Sequence, residues 1–389
     1  MKIAYFSNGE TIHDQRFFDR FEGSGCELHI ISFQSGLLEA RRRNMLPELR
    51  GAHLYNLPLD RFAGVSFLDK LLNTVKGVFY SRRVVRNIRP DIVMACHIID
   101  KYGFIAALTK ARPLVLLPGG TDVQITSKTS RLRRLFIKYA VRRSGVILAD
   151  AEIIKKELLD LVPGYPGDKI KVTLLPGVDL DKFNPSVPKV EITKELGWEN
   201  KKILIMTRSM IDRVYGIECF LEALVRVTRE FPDVRVIFCG DGPYRQSHME
   251  FLKRNKINEY AYFAGHVENG SLAAFLNAAD IYVSSSLSDG TPLSLLEAMA
   301  CRLPVVVTDV PAVMEWVKDG YNGYVVPRKD PEALAGKIIA LLRNDGLREA
   351  MARENHRIAR ERIDIERNFE KLMQTLYETL NEHRKERGI

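Results

Sequence analysis

The sequence predicts an α/β protein made of two successive halves, each with a doubly wound parallel sheet. Short apolar runs of strand length alternate with longer segments of helical periodicity. The alternation occurs once before residue 180 and again after it, and strands that alternate with helices form parallel sheets covered on both faces. A stretch with two prolines, residues 179–188, separates the two series and has the composition of a hinge.

Apolar runs predict the strands of both halves. In the first half they are residues 2–6, 27–33, 92–95, 114–117, 146–149 and 172–175. In the second half they are residues 203–206, 234–239, 260–264, 281–284 and 304–307. Helices are predicted near residues 15–22, 217–230, 248–255 and 272–278, and a charged helical segment runs from 331 to about 387. Ligands of open parallel sheets bind beyond the carboxyl ends of the strands, so functional residues are expected in the loops that follow them.

The composition predicts a cytoplasmic enzyme. With 389 residues the chain is long enough for two or three domains, each with its own core. Five scattered cysteines without CxxC spacing argue for reduced thiols and against a zinc site or a disulfide framework. The first apolar run is too short for a signal peptide, and no run approaches the length that crosses a bilayer.

The most informative segment is a helix start after the strand at 281–284. Thr291 is predicted as the N-cap and Pro292 as the first helical residue. The free N–H groups and the dipole of such a helix start bind anions. Asp289 precedes the helix, and Glu297 is its single charge, so ligand hydroxyls are expected to bind it. The alternative is that Glu297 lies on a solvated helix face and Asp289 is an ordinary turn residue.

The segment Asp289–Glu297, DGTPLSLLE, resembles the acidic-x7-Glu motif of family-4 glycosyltransferases. That family is retaining, depends on nucleotide sugars and has the two-domain GT-B fold. Its members usually have Glu first, so Asp289 is shorter by one methylene. The resemblance extends over nearly the whole chain and implies two Rossmann-like domains that face each other across a cleft. The acceptor-side domain would comprise residues 1–180 with a crossover helix at 366–389, and the donor domain residues 181–365.

The loop at residues 207–216 resembles the family's Arg-x5-Lys-Gly loop, in which two cations hold the donor diphosphate. Arg208 matches the arginine. Alignment on Gly216 places Tyr215 where the lysine usually stands, and Arg213 is the nearest cation and its substitute. Guanidinium groups form strong charge-assisted pairs with phosphate oxygens. The alternative is a solvated pair of arginines.

Further positions follow from the same resemblance. Gly240 would lie near the nucleotide base, and the backbone at Val267 would meet the base edge. Gly9 would allow close approach of the donor phosphate. His97 would contact the sugar and support an oxocarbenium-like transition state, with a satisfied core histidine as the alternative. Residues 119–123, GGTDV, resemble the family's Gly-Ser-Asp-Val loop. The expected catalytic residues are His97, Arg208, Asp289 and Glu297, and the expected binding positions are Gly9, Arg213, Gly240, Val267, Gly290, Thr291, Pro292 and Leu293.

The resemblance implies retaining transfer of a sugar from a UDP- or GDP-sugar to a glycan, lipid-linked or small-molecule acceptor. The two arginines and the helix start would stabilise the leaving nucleoside diphosphate, so neither a metal ion nor a further cofactor is expected. Glu297 would accept hydrogen bonds from the ribose, and Asp289 would hold sugar hydroxyls. No obvious pair of carboxylates offers a double displacement, and the resemblance implies reaction on one face of the sugar.

Other functions remain open at this point. A nucleotide-sugar epimerase on the same fold would turn over the donor without an acceptor, and a non-catalytic sugar-nucleotide-binding protein would bind it without turnover. A nicotinamide-dependent dehydrogenase needs G-x-G-x-x-G after the first strand, which residues 7–12 lack. Nucleic-acid binding is disfavoured because no motif accompanies the basic charge.

The net charge of +9 arises in the first half. Residues 1–180 contain 28 Lys and Arg against 18 Asp and Glu, which leaves −1 for the remainder. A predicted helix at 131–143 carries cations on one face and apolar side chains beside it: Arg131, Arg134, Lys138 and Arg142, then Leu135, Phe136 and Tyr139. Its apolar stripe either joins the core or forms a peripheral contact with an anionic membrane that presents a lipid-linked acceptor.

Overall fold

The computed structural model describes residues 1–7, 12–33, 52–57, 59, 67–98, 101–120, 122–126 and 130–388. The chain divides into two compact units. The first unit comprises residues 1–176 and 367–389, and the second comprises residues 177–366. Each unit contains its own parallel sheet.

The sheet of the first unit has seven strands among the described residues. They are β1 (Lys2–Phe6), β2 (Glu27–Ser32), β3 (Ala52–Asn56), β4 (Ile92–Cys96), β5 (Leu114–Leu117), β6 (Val146–Ala149) and β7 (Ile170–Val172). All pairs are parallel, in the order β3-β2-β1-β4-β5-β6-β7. Successive strand residues point to opposite faces, and nearly every residue of β1, β4 and β6 is buried. Both faces of the sheet are therefore covered.

The described helices of this unit precede or follow those strands. They are α1 (Ile12–Phe21), α2 (Phe67–Ile88), α3 (Lys101–Leu108), α4 (Arg131–Arg143) and α5 (Glu152–Leu161), with a π-helical turn at Asp122–Thr126 and a 3₁₀ turn at Gly167–Lys169. Helix α3 packs against both α2 and α4.

The second unit has six strands in the part of the chain that is described. They are β8 (Lys202–Met206), β9 (Val234–Cys239), β10 (Ala261–Gly265), β11 (Ile281–Ser284), β12 (Val305–Thr308) and β13 (Gly323–Val326). They are again parallel, in the order β10-β9-β8-β11-β12-β13. Strands β8 and β11 are therefore neighbours, although two strands lie between them in the sequence.

Helices α6 to α13 belong to the second unit. They are α6 (Ile192–Glu195), α7 (Ile217–Glu230), α8 (Arg245–Arg254), α9 (Asn269–Asn277), α10 (Leu293–Ala300), α11 (Pro311–Met314), α12 (Pro331–Leu342) and α13 (Asp345–Arg362), with 3₁₀ turns at Arg213–Tyr215 and Asn258–Tyr260. Helix α7 packs along α12, and α10 packs against α13.

The last helix, α14 (Ile365–Arg387), returns the chain to the first unit. Its side chains Leu372, Leu376 and Leu380 are buried in the core of that unit. The ring of Phe369 lies edge-on to Phe21 with centroids 5.1 Å apart. This helix is the crossover that the GT-B resemblance implies.

Helix α4 divides its apolar side chains between the core and the surface. Phe136 stacks on Phe104 of α3 at 4.1 Å, and Tyr139 lies edge-on to the same ring at 5.9 Å. By contrast, Leu132 and Leu135 are 50% and 62% exposed. The alternative in which the apolar stripe joins the core therefore holds for Phe136 and Tyr139 but not for Leu135.

The strand predictions failed at three places. The strand expected at 172–175 instead ends at Val172, because it is Ile170–Val172 that pairs with β6. Strand β3 was not predicted, since its sequence, AHLYN, has no apolar run and its residues are half exposed at the sheet edge. Strand β13, GYVV, is also short and was missed.

Candidate active site

The loops that follow β8 and β11 are joined by their backbones. The N–H of Leu287 donates to the carbonyl of Val214 over 2.7 Å, and the hydroxyl of Ser285 donates to the carbonyl of Gly216 over 2.8 Å. A Cβ at Gly216 would lie 2.1 Å from the carbonyl oxygen of Ser285, and its φ is +60°. Glycine is therefore required there, and it lets the two loops lie in direct contact.

This packing brings two of the expected catalytic residues together. Nη2 of Arg208 lies 2.7 Å from Oδ2 of Asp289, and the two side chains are 10% and 19% exposed. The contact is an ion pair rather than a directed hydrogen bond, because neither atom has a partner in hydrogen-bond geometry among the described residues. One loop thus supplies a cation and the other an anion at the same edge of the sheet.

Arg208 is anchored but retains unused donor capacity. Its guanidinium lies over the ring of Tyr215 at 5.4 Å. Nε of Arg208 and the hydroxyl of Thr207 are buried and have no hydrogen-bond partner among the described residues. An unsatisfied buried polar group costs about 1–3 kcal/mol, so a ligand that accepts from these atoms would be stabilising. Phosphate oxygens are such acceptors.

Burial and pairing act in opposite directions on these two charges. Burial raises the pKa of Asp289, and the attraction of Arg208 and the N–H of Gly290 offset only part of that rise. Burial disfavours the charged guanidinium of Arg208, but Asp289, together with Tyr282 and Tyr215, offsets this, and the pKa of Arg208 is raised. Arg208 is therefore a permanent cation at this edge of the sheet.

Arg213 lies in a different environment. Its side chain is 74% exposed, and its Nε is 3.7 Å from a carboxylate oxygen of Glu218. Its guanidinium lies over the ring of Tyr244 at 5.4 Å. These contacts do not join Arg213 to the Arg208–Asp289 pair, and its role on a diphosphate stays a prediction.

Gly240 has a clear packing role. A Cβ there would lie 2.0 Å from the carbonyl oxygen of Arg208, and a Cβ at Gly242 would lie 2.4 Å from that of Met210. The N–H of Met210 donates to the carbonyl of Asp241 over 2.8 Å. The turn after β9 therefore lies against the backbone of the Arg208 loop and helps to fix its course. Whether Gly240 also lies near a nucleotide base stays a prediction.

Val267 follows the end of the neighbouring strand. The N–H of Gly240 donates to the carbonyl of Gly265 over 2.7 Å, which joins the ends of β9 and β10. Val267 is half buried two residues further on, in the link to α9. The predicted contact with a base edge is consistent with this place at the carboxyl edge of the sheet.

Helix α10 begins one residue later than predicted. Pro292 occupies the N-cap position and Leu293 is the first helical residue, so the prediction of Thr291 as the N-cap was wrong. The carbonyl of Pro292 accepts from the N–H groups of Leu295 and Leu296, which is the backbone role of an N-cap residue.

Glu297 is buried inside α10, where its residue is 3% exposed. The alternative of a solvated helix face was therefore wrong. All other residues of this helix except Ser294 are buried as well. Burial and, to a smaller extent, the charge of Glu297 raise the pKa of the Cys301 thiol to about 12.

In the first unit, His97 follows β4 with φ of +56°, in the left-handed region. Its Nδ1 is 3.8 Å from Oδ2 of Asp122, a buried carboxylate that also accepts from the N–H groups of Ile98 and Gly119 over 2.8 and 3.0 Å. The His97 side chain is 40% exposed, so His97 is not a core residue, and its contact with a sugar stays a prediction. The strain of an uncommon φ at an exposed imidazole is typical of functional positions.

Asp122, the carboxylate beside His97, was not among the expected site residues. The signal was present, because an acidic residue follows two glycines after β5, the strand next to β4. Among the expected site residues, the structure joins Arg208 with Asp289 and places Gly240 on the Arg208 backbone. Gly9 lies outside the described residues.

Two family models match the chain. The model described as Glycosyl transferases group 1 matches residues 188–357, and Glycosyl transferase 4-like matches residues 2–151. The two matches do not overlap, and together they take in most of the chain.

Individual relatives are distant. An uncharacterized glycosyltransferase of Methanocaldococcus jannaschii is 25% identical over 350 residues, which is 89% of this chain and 88% of that protein. A phosphatidyl-myo-inositol mannosyltransferase of Mycobacterium leprae is 34% identical over 174 residues, or 44% of each chain. The crystal structure of Anabaena HepE in complex with UDP has a TM-score of 0.78 at 18% identity, over 97% of this chain and 100% of that chain.

Two parallel-sheet units with a crossover helix define a GT-B fold. The chain belongs to the family-4-like glycosyltransferases, and the resemblance seen in the sequence is confirmed. The reaction class is therefore sugar transfer. In the part of the chain that is described, no helix combines the length and hydropathy of a membrane span.

Proposed function

We propose that this enzyme transfers a sugar from a nucleoside-diphosphate sugar with retention of anomeric configuration and without a metal ion. The observation that carries the proposal is the buried Arg208–Asp289 pair with an unpartnered Nε on its cation. A diphosphate oxygen at Nε would accept a hydrogen bond from that donor, and the guanidinium would neutralise part of the negative charge of the diphosphate. Because Asp289 and Tyr215 already hold the guanidinium, little reorganisation is needed as charge develops on the leaving group.

The rest of the donor is assigned along the same edge of the sheet. The start of α10, at Thr291 to Leu293, would bind the phosphates, with the N–H of Leu293 as a donor, since Pro292 has no N–H. Glu297 would accept hydrogen bonds from the ribose hydroxyls. Gly240 and Val267 would line the base. His97, oriented by Asp122, would contact the sugar.

Retention, which the family resemblance implies, is assigned to reaction on one face of the sugar rather than to a double displacement through an enzyme nucleophile. Asp289 is paired with Arg208, which weakens it as a nucleophile, and Glu297 is assigned to the ribose. The bond from the anomeric carbon to the diphosphate would break with the electron pair leaving on oxygen. The acceptor hydroxyl would form its bond on the same face, and its proton would pass to a phosphate oxygen of the leaving group.

The nature of the donor and acceptor is supported by relatives. HepE was crystallised with UDP and with UDP-glucose, and the mycobacterial relative is named for transfer of mannose to a phosphatidylinositol. We infer a UDP- or GDP-sugar as the donor and a glycan or lipid-linked molecule as the acceptor.

A lipid-linked acceptor fits the amino end of α4. Leu132 and Leu135 are exposed there beside Arg131, Arg133 and Arg134, all in the first two turns. Cations in the first turn oppose the helix dipole, so this arrangement is unfavourable for the helix alone. Exposed leucines flanked by arginines suit the surface of an anionic bilayer, and we infer a cytoplasmic enzyme with peripheral membrane contact.

The proposal is tested by a thermal-shift screen with UDP- and GDP-sugars side by side, followed by NMR of the product. One donor series should raise the melting temperature, and the new glycosidic bond should have the anomeric configuration of the donor. Inversion would contradict retention, and the absence of any shift with either series would contradict the donor class.

A further inference from the structure

A second cluster of potential ligands lies in the first unit, at the amino end of its sheet. Glu27 is the first residue of β2, and His29 follows it on the same face. His53 of the edge strand β3 is the register partner of His29, so all three side chains meet. This is the opposite end of the sheet from the carboxyl ends of β4 and β5, which His97 and Asp122 follow.

The three ligand atoms are spaced as around one ion. Oε1 of Glu27 is 3.0 Å from Nε2 of His29 and 3.7 Å from Nε2 of His53, and all three atoms lie within 4.8 Å of one another. In a tetrahedral zinc site with bonds of about 2.0–2.1 Å, neighbouring ligand atoms are roughly 3.3 Å apart. The Glu27–His29 distance is already close to this spacing, whereas the His53 nitrogen must move towards the other two ligand atoms.

His29 is prearranged for such a role. It is 5% exposed, and its Nε2 has no partner in hydrogen-bond geometry among the described residues, although Glu27 is close. Its other ring nitrogen, Nδ1, is 3.4 Å from the hydroxyl of Tyr55. If Nδ1 carries the proton and donates to Tyr55, the lone pair of Nε2 faces the cluster. Metal-bound histidines have an outer partner of this kind.

His53, the exposed residue of the cluster, must change its ring orientation for all three side chains to bind one ion. The rings of His29 and His53 are stacked at 4.8 Å with an angle of 18°, so their in-plane lone pairs run nearly parallel. The His53 side chain is 60% exposed and can tilt until its lone pair converges with that of His29. Lys2 lies 3.4 Å from Oε2 of Glu27 and leaves Oε1 for a single bond to the ion.

We propose that Glu27, His29 and His53 form a zinc site in which water completes a tetrahedral shell. Two imidazoles and one carboxylate are a ligand set that zinc accepts with a fourth, open position. The ion would tie the edge strand β3 to β2 and stabilise the folded first unit, since metal that binds the native state shifts unfolding. The site is separate from the proposed donor site and takes no part in sugar transfer.

The test measures zinc binding to the untagged full chain by elemental analysis and by competition with a chromophoric chelator. We expect one zinc per chain, a rise in melting temperature with added zinc, and the visible bands of tetrahedral cobalt when Co²⁺ replaces it. His53→Gln replaces an exposed ligand and Glu27→Gln a half-exposed one by a residue of similar size, so both proteins should fold. Each should weaken zinc binding by at least the roughly 10- to 100-fold that loss of an outer-shell partner costs.

His266→Gln is the matched control, because it removes an exposed imidazole in the second unit and leaves the cluster intact. It should bind zinc as the unchanged protein does. The proposal is overturned if the unchanged chain binds no zinc, if cobalt gives only the spectrum of an octahedral ion, or if both cluster variants bind zinc with unaltered affinity.

Discussion

Arg208 and Asp289 belong to loops that follow two adjacent strands, and their side chains form a buried ion pair at 2.7 Å. The pair holds the guanidinium in place while its Nε remains without a partner among the described residues. The same ion pair therefore fixes the position of the guanidinium and leaves one of its N–H groups available to an anion.

The first prediction concerns this pair. Arg208→Ala should lower kcat by about 10²- to 10³-fold, with a smaller effect on the donor KM, because the cation acts mainly on charge that develops in the transition state. Arg208→Lys should recover little, since an ammonium cannot keep both the Asp289 contact and the diphosphate contact. Steady-state kinetics with a saturating acceptor measure both effects.

Arg213→Ala provides the comparison, because Arg213 is 74% exposed and outside the pair. It should mainly raise the donor KM. Equal losses of kcat in the Arg208 and Arg213 variants would contradict the special position of Arg208.

The second prediction concerns Glu297. Glu297→Ala should weaken binding of the nucleoside diphosphate by about 1–3 kcal/mol and abolish turnover, because two ribose hydrogen bonds are lost. Calorimetric titration of the nucleoside diphosphate measures the binding change. Ser294→Ala, in the same helix, controls for a general disturbance of α10 and should retain affinity. If a folded Glu297→Ala protein binds the nucleoside diphosphate with normal affinity and has normal kinetics, Glu297 does not bind the ribose.

The third prediction concerns metal. Sugar transfer should survive chelation, because a cation pair and a helix start are assigned to the leaving group. Initial rates with and without EDTA, well below the melting temperature, test this. Since EDTA would also remove zinc from the Glu27 cluster, His53→Gln serves as the control. If both proteins lose activity in EDTA and manganese restores it, metal-independent transfer is wrong.

The fourth prediction concerns the membrane. The protein should sediment with anionic but not neutral liposomes at low salt and should be released at high salt, because each cation near an anionic surface contributes about 1 kcal/mol. Reversal of Arg131, Arg133 and Arg134 to Glu should abolish binding. The helix should persist, because glutamates in the first turn favour the helix dipole.

The matched control for liposome binding reverses three exposed lysines of the second unit, Lys189, Lys194 and Lys253, to Glu. This variant has the same net charge as the triple arginine variant and should still sediment. Equal loss of binding in both variants would indicate a general charge effect. Failure of the unchanged protein to bind anionic liposomes would favour a soluble acceptor.

The fold class was predictable because strands buried on both faces are continuous apolar runs, and these alternate with helices. The same rule explains the failure at β3, whose sequence is half polar because the strand lies at a sheet edge. Without β3, the pairing of His29 with His53 could not be anticipated, and the Glu27 cluster was invisible in the sequence.

The sequence predicted individual residues of the candidate site but not the contacts between them. Motif and position in a loop selected Arg208 and Asp289, yet their pairing depends on β8 and β11 being neighbours, which chain order does not reveal. The course of the Arg208 loop likewise depends on contacts with Gly240, a residue of a third loop. The N-cap of α10 was misplaced because Thr and Pro at a helix start suit either of two positions one residue apart.

The central claim is that the Arg208–Asp289–Glu297 region of the second unit turns over a nucleoside-diphosphate sugar. The most direct measurement is release of UDP or GDP from its sugars, with and without glycan and lipid acceptors. The account predicts acceptor-dependent release that falls by at least about 100-fold in folded Arg208→Ala and Glu297→Ala proteins. Release that is independent of every acceptor, or that persists unchanged in both variants, would contradict it.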